Sequence, residues 1–186
     1  MESVMIRLFV ALEIPENIQS KISELKDEVI GGSSDLKWEK RDKIHLTLKF
    51  IGEVEDELVG PLINSLDFLE QCNKINCRLT KFGFFFRQGI PQILWIGLSV
   101  DEFLFDLVGQ LNSKLTKFGI PVEEKKFKPH ITLLRIKRKF PEDWVTKFNS
   151  FIIPETIFTA DNILMIKSEL LPESSKYTVL KKFNLK

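Results

Sequence analysis

In 186 residues this chain has only two cysteines, two histidines and one tyrosine. Cys72 and Cys77 have no further Cys and no nearby His, so they cannot complete a zinc site. Two small apolar thiols that pack in a core are expected instead. No apolar run is long enough to cross a bilayer. The longest uncharged stretch, Gln88 to Val100, has 13 residues and contains both Gly and Pro, whereas a membrane helix needs about 18 or more apolar residues. Arg7 interrupts the apolar start MESVMIRLFVALEIPE, and no small-residue cleavage site follows. A secretion signal is therefore not expected, and the cytoplasm is the expected compartment. Charge of one sign is also lacking: 27 basic residues face 26 acidic ones, a net charge of +1. No linker or low-complexity segment divides the chain, so one domain spanning residues 1–186 is expected.

What is present is apolar bulk, with 44% hydrophobic residues and sixteen Phe, enough for a substantial core. Patterning alternates between strand and helix. Val4 to Leu12, Ile44 to Ile51, Ile75 to Phe86, Ile93 to Val100, Ile131 to Ile136, Ile157 to Ile166 and Tyr177 to Leu185 read as strands. A first helix opens at Pro15 and stops at Gly31-Gly32, with Ile22, Leu25 and Val29 at helical spacing. Glu55 to Gln71 predicts a second, with Leu58, Leu62, Leu66 and Leu69 on one face. Asp101 is positioned to cap a third that runs to about Phe118, and Glu142 to Ser150 predicts a fourth. Together these predict an α+β protein with mainly antiparallel sheets.

The two histidines carry the strongest signal. HLTLKFI (His45 to Ile51) and HITLLRI (His130 to Ile136) share four of seven positions, which suggests two related lobes. Side chains i and i+2 of a strand point the same way. His45 and Thr47 therefore share one face, and His130 and Thr132 share another, with Leu or Ile opposite for burial. Two sheets facing one another would bring two imidazoles and two hydroxyls into one cleft. Such a set suits phosphoryl chemistry: a neutral His takes a proton from water and a protonated His gives one to the leaving oxygen. Thr hydroxyls donate hydrogen bonds to the non-bridging oxygens. One His-x-Thr alone describes many half-buried strands; the matched pair is what is specific.

With RLFVALEIP, KWEKRDKIHLTLKFIGEV, FGFFFRQGIPQILWIGL, FKPHITLLRIK and SELLPESSKYTVLKKFNL, the chain resembles the RNA 2′,3′-cyclic phosphodiesterases, also called 2′-5′ RNA ligases, of the two-histidine (2H) phosphoesterase superfamily. The resemblance covers nearly the whole chain. It implies a bilobal α+β fold with two antiparallel sheets facing a central cleft and helices outside. It further implies that His45 is the proton donor to the leaving group, that His130 activates water, and that Thr47 and Thr132 hold the phosphate. The implied substrate is RNA ending in a 2′,3′-cyclic phosphate, tRNA fragments among them, with 2′-5′ joining as related chemistry. No cofactor, no metal, no membrane partner and a monomeric state are expected. Arg135 matches a family Arg near the phosphate, although simple alternation puts it opposite His130 unless a bulge turns it inward. Phe9 matches a first-strand aromatic that could contact a base or ribose; ordinary core is the competing reading.

Lys49 shares the face of His45 by alternation, as a cleft cation or a solvated strand end. Phe84, Phe85, Phe86 and Trp95 are stacking candidates, with core packing the alternative for most. The charge is local: Glu123 to Lys139 holds seven cations and two acids, and Lys37 to Lys49 carries a net +3. That is the footprint expected of a phosphodiester site. Three other readings remain open at this level. They are a 2H enzyme acting on small cyclic nucleotides or 2′-5′ oligoadenylate, a non-catalytic RNA-binding module, and a two-His metal site, for which the ligand set is poor.

Overall fold

The computed structural model describes residues 4–32, 34–137, 140–171 and 175–186. The end of the basic run, Arg138 and Lys139, lies outside the described residues, as do positions 1–3 of the N-terminal stretch and 172–174 of the C-terminal motif. Among the described residues, eight strands form two antiparallel four-stranded sheets. The first has the order β2 (His45–Glu55), β1 (Met5–Glu13), β7 (Asn162–Leu170), β8 (Ser175–Asn184). The second runs β5 (His130–Arg135), β4 (Ile90–Val100), β3 (Ile75–Arg87), β6 (Ile157–Ala160). The α-helices among the described residues are α1 (Glu16–Ile30), α2 (Val59–Ser65), α3 (Phe103–Leu115) and α4 (Glu142–Ser150). The architecture is α+β, as the patterning predicts.

Each histidine begins an edge strand. β2 pairs with β1, which precedes it through α1; β5 pairs with β4, which precedes it through α3. These two edges lie next to one another. The segment before β2 ties them further: Trp38 bridges Leu134, and the Glu39 N–H donates to the Leu133 carbonyl at 2.9 Å. Burial separates the faces as alternation requires. Leu46, Leu48, Ile131 and Leu133 enter the main core, while His45, Thr47, His130 and Thr132 stay half-buried on the other side.

α1 ends where Gly31 takes a left-handed conformation (φ 73°) and its N–H closes on the Asp27 carbonyl. The hairpin between β3 and β4 turns on Gln88 (φ 50°) and Gly89 (φ 77°). Three expectations need correction. Glu55 to Gln71 is not one helix but a 3₁₀ turn (Asp56–Leu58), α2, and a second 3₁₀ turn (Asp67–Gln71). Pro61 has no N–H to give to a helix already running at Glu57, so it is accommodated only in the first turn of one starting at Val59. The apolar face nevertheless holds, with Leu62, Leu66 and Leu69 fully buried. Asp101 does not cap α3; its carboxylate accepts the Asn76 N–H at 2.7 Å and so ties β3 to the end of β4. Ile157 to Ile166 is two strands in different sheets, divided at Asp161.

Candidate active site

A cavity of about 980 Å³ opens between the sheets, and His45, Thr47, His130, Thr132 and Arg135 all line it. The two imidazoles are held in matching ways. His45 Nδ1 lies 2.7 Å from the Lys43 carbonyl, and His130 Nδ1 lies 2.7 Å from the Lys128 carbonyl, in each case two residues back along the chain. A carbonyl only accepts, so both Nδ1 atoms carry hydrogen and both Nε2 atoms are the ones left for chemistry. In the first copy Nε2 takes the Thr47 hydroxyl at 3.1 Å.

Aromatic rings brace each histidine. Phe9 packs 5.0 Å from the His45 ring and Tyr177 meets it edge-on at 5.7 Å. On the other sheet Phe85 stands edge-on to His130 at 4.9 Å, with Trp95 at 6.3 Å. Phe9 is 3% exposed and belongs to a small cluster with Ala11, Leu164 and Ile166. It thus supports His45 and is not part of the cavity wall. Of the stacking candidates, Phe85 lines the cavity, Phe84 is buried, and Phe86 projects outward beside the hairpin.

Trp95 lies flat across its neighbours. A Cβ on Gly83 would sit 2.3 Å from Trp95 Cζ2, and one on Gly97 would sit 2.6 Å from Thr80 Oγ1. Trp95 pairs across the sheet with Thr132, and Gly97 with His130, so the ring is part of the floor under the second motif. Gly83→Ala is expected to cost about 1–3 kcal/mol by overpacking. Urea unfolding reads that loss, and turnover of a phosphodiester substrate should fall with it as the platform under His130 tilts.

A β-bulge settles the direction of Arg135. Leu94 pairs with Leu134 but Trp95 with Thr132, so Leu133 is an extra residue in β5 and Arg135 returns to the cavity side. Its Nε is 3.7 Å from Glu39 Oε1. Another bulge, in β2, falls between Thr47 and Lys49. Lys49 still lines the cavity but is 3% exposed, with Nζ donating to the Pro121 carbonyl at 2.7 Å. Burial lowers its pKa and the nearby Glu123 opposes that shift. It is neither a free cleft cation nor a solvated strand end.

Burial holds His45 neutral. Desolvation lowers its pKa to about 4, the Lys43 carbonyl works against that, and Arg135 adds to it. Tyr177 is pushed up, chiefly by burial. Among the described residues, six cations and three carboxylates line the cavity, which gives a surplus of positive charge where a phosphate would sit.

Sequence reasoning missed Glu39, Lys43, Phe50 and Tyr177, and the wall formed by α3. For Tyr177 a signal existed: it is the one phenol kept among sixteen Phe. Phe50, 51% exposed in the middle of a strand, had none, because only the bulges decide its direction. Among the described residues no three His, Cys, Asp or Glu side chains gather as a metal site, and no helix is long and apolar enough to cross a membrane.

Edge-strand His-x-Thr copies around one cleft define a phosphoesterase of the two-histidine class. The sequence pattern of the LigT-like phosphoesterases matches residues 12–95 and again residues 96–177, one histidine in each span. The chain belongs to that family. A protein of Methanocaldococcus jannaschii named RNA 2′,3′-cyclic phosphodiesterase is 30% identical over 95% of this chain and 99% of its own length. Another of that name, from Thermotoga maritima, is 27% identical over 94% and 92%. Among solved structures, a Thermus thermophilus protein superposes with a TM-score of 0.79, at 27% identity over 96% of this chain and 97% of that one. Escherichia coli LigT with 3′-AMP gives 0.78 at 24% identity, over 98% and 99%, which speaks for the fold.

Proposed function

We propose that this enzyme hydrolyses RNA 2′,3′-cyclic phosphodiester ends to 2′-phosphomonoesters by metal-independent general acid–base catalysis, in a cleft between two pseudo-symmetric lobes. The observation that carries the reading is the matched engagement of both Nδ1 atoms by backbone carbonyls, which reserves both Nε2 atoms for proton transfer. The curated relatives' name agrees with it. In the reaction, neutral His130 takes a proton from water as its oxygen bonds to phosphorus. The bond from phosphorus to O3′ breaks, and protonated His45 gives O3′ its proton. Thr47, Thr132 and Arg135 hold the non-bridging oxygens as charge builds on them. Exchange with solvent resets both rings. The donor role asks for a charged His45, which burial disfavours; the phosphate anion supplies the compensating charge on binding.

The depressed pKa of His45 favours a second reading, in which His45 is the base and His130 the acid. Joining of 2′-5′ ends would use the same groups, with an RNA 5′-hydroxyl replacing water. The first test is an oligonucleotide ending in a 2′,3′-cyclic phosphate, incubated with and without EDTA. A 2′-phosphate product in both is expected. A 3′-phosphate product would reverse the leaving group, and loss of turnover with EDTA would remove metal independence.

A further inference from the structure

The cavity does not end at the histidines. It runs on to α3, where Phe105, Val108 and Gly109 line it together with Phe127. Phe105 is 40% exposed, and its ring meets Phe127 edge-on at 5.7 Å. Asn112 fixes this wall: its Nδ2 donates to the Val108 carbonyl and its Oδ1 accepts the Glu123 N–H, both at 3.1 Å. Gly109 is the anomaly. Glycine inside a helix weakens it relative to alanine, and here a Cβ would meet nothing within 4 Å. Packing therefore does not ask for glycine at this position. A helix rule broken without a packing reason, on the wall of a cavity, points to a ligand that needs the room.

Resting on the phosphodiesterase reading above, we infer that Phe105, Phe127 and the bare backbone at Gly109 form a second nucleoside subsite, which stacks the base of the nucleotide on the 5′ side of the reacting end. Three observations fit that occupant. Phe105 is exposed and Phe127 half-buried on this wall, so each offers ring surface to a base. The wall is continuous with the cleft of His45 and His130, and at about 980 Å³ the whole cavity is at the upper end of small-ligand pockets. Lys125, Lys126 and Lys128 line the same cavity on either side of Phe127, and so set cations beside the aromatic wall for a linking phosphate. The substrate class is then an RNA chain of at least two nucleotides, with a mononucleotide cyclic phosphate filling only one end.

The test compares a 2′,3′-cyclic mononucleotide with a dinucleotide carrying the same end, for the parent, Gly109→Leu and Phe105→Ala, with urea midpoints for both variants as the check on folding. The parent is expected to prefer the dinucleotide at least tenfold in kcat/KM, and Gly109→Leu and Phe105→Ala to erase most of that preference. Binding of the 2′-phosphate forms of both ligands, by calorimetry, gives the same comparison without chemistry. Turnover of neither cyclic substrate would count against the phosphodiesterase reading, and the binding arm would still decide the subsite. Equal affinity of the parent for the two ligands, or an unchanged preference in Gly109→Leu, would overturn the inference.

Discussion

Replacing either His45 or His130 by alanine is expected to lower kcat/KM on an RNA 2′,3′-cyclic phosphate end by about 10²–10⁴-fold, the usual contribution of one positioned proton-transfer group. The two losses should not multiply in the double variant, because one imidazole without the other completes no proton relay. A substrate with sulfur in place of the bridging 3′ oxygen separates the roles. A thiolate leaves without needing a proton, so the variant that lacks the acid regains most of its rate and the variant that lacks the base does not. Rescue of His45→Ala would assign His45 as donor; rescue of His130→Ala would assign the reverse. Since His45 is packed against Phe9 and Tyr177, alanine leaves a hole there. His45→Gln is therefore run beside it, with urea midpoints for both. Full activity in a folded His45 or His130 variant would end the two-histidine mechanism.

The core of this site was legible because it rests on period and repetition. Strand alternation alone places His45 with Thr47 and His130 with Thr132, and buries Leu46, Leu48, Ile131 and Leu133 behind them. What alternation could not supply is the direction of any residue beyond a bulge. Arg135 and Phe50 both come after one, so their facing depends on pairing with β4 and β1. Tyr177 and the α3 wall reach the cavity through tertiary packing that carries no local signature. The fold shows the same division. The Gly31 stop of α1 and the apolar helix faces were local and came through, whereas the switch of sheets at Asp161 happens inside a run that looks like one strand.

Acid is expected to destabilise this protein through His45 in particular. With a folded pKa of about 4 against an ordinary 6.5, the unfolded chain binds a proton between those values that the folded chain refuses. The unfolded state then holds more protons, so stability rises with pH across that window and falls as pH drops through it. The burden is absent above about pH 6.5 and complete below about pH 4, where it amounts to roughly 3 kcal/mol. Carboxylates titrate in the same range, so the comparison must be with a variant. Urea unfolding at pH 7.5 and 4.5 should show a smaller acid loss for His45→Asn than for the parent, and identical losses would reject the argument. Ligand closes the link to catalysis. An anion beside His45 favours the imidazolium, so a bound 2′-phosphate nucleotide should raise the His45 pKa, read from its ring protons by NMR. A rise toward neutrality would let His45 act as the acid in the complex although burial alone keeps it neutral. A value still near 4 with ligand bound would leave it only the role of base.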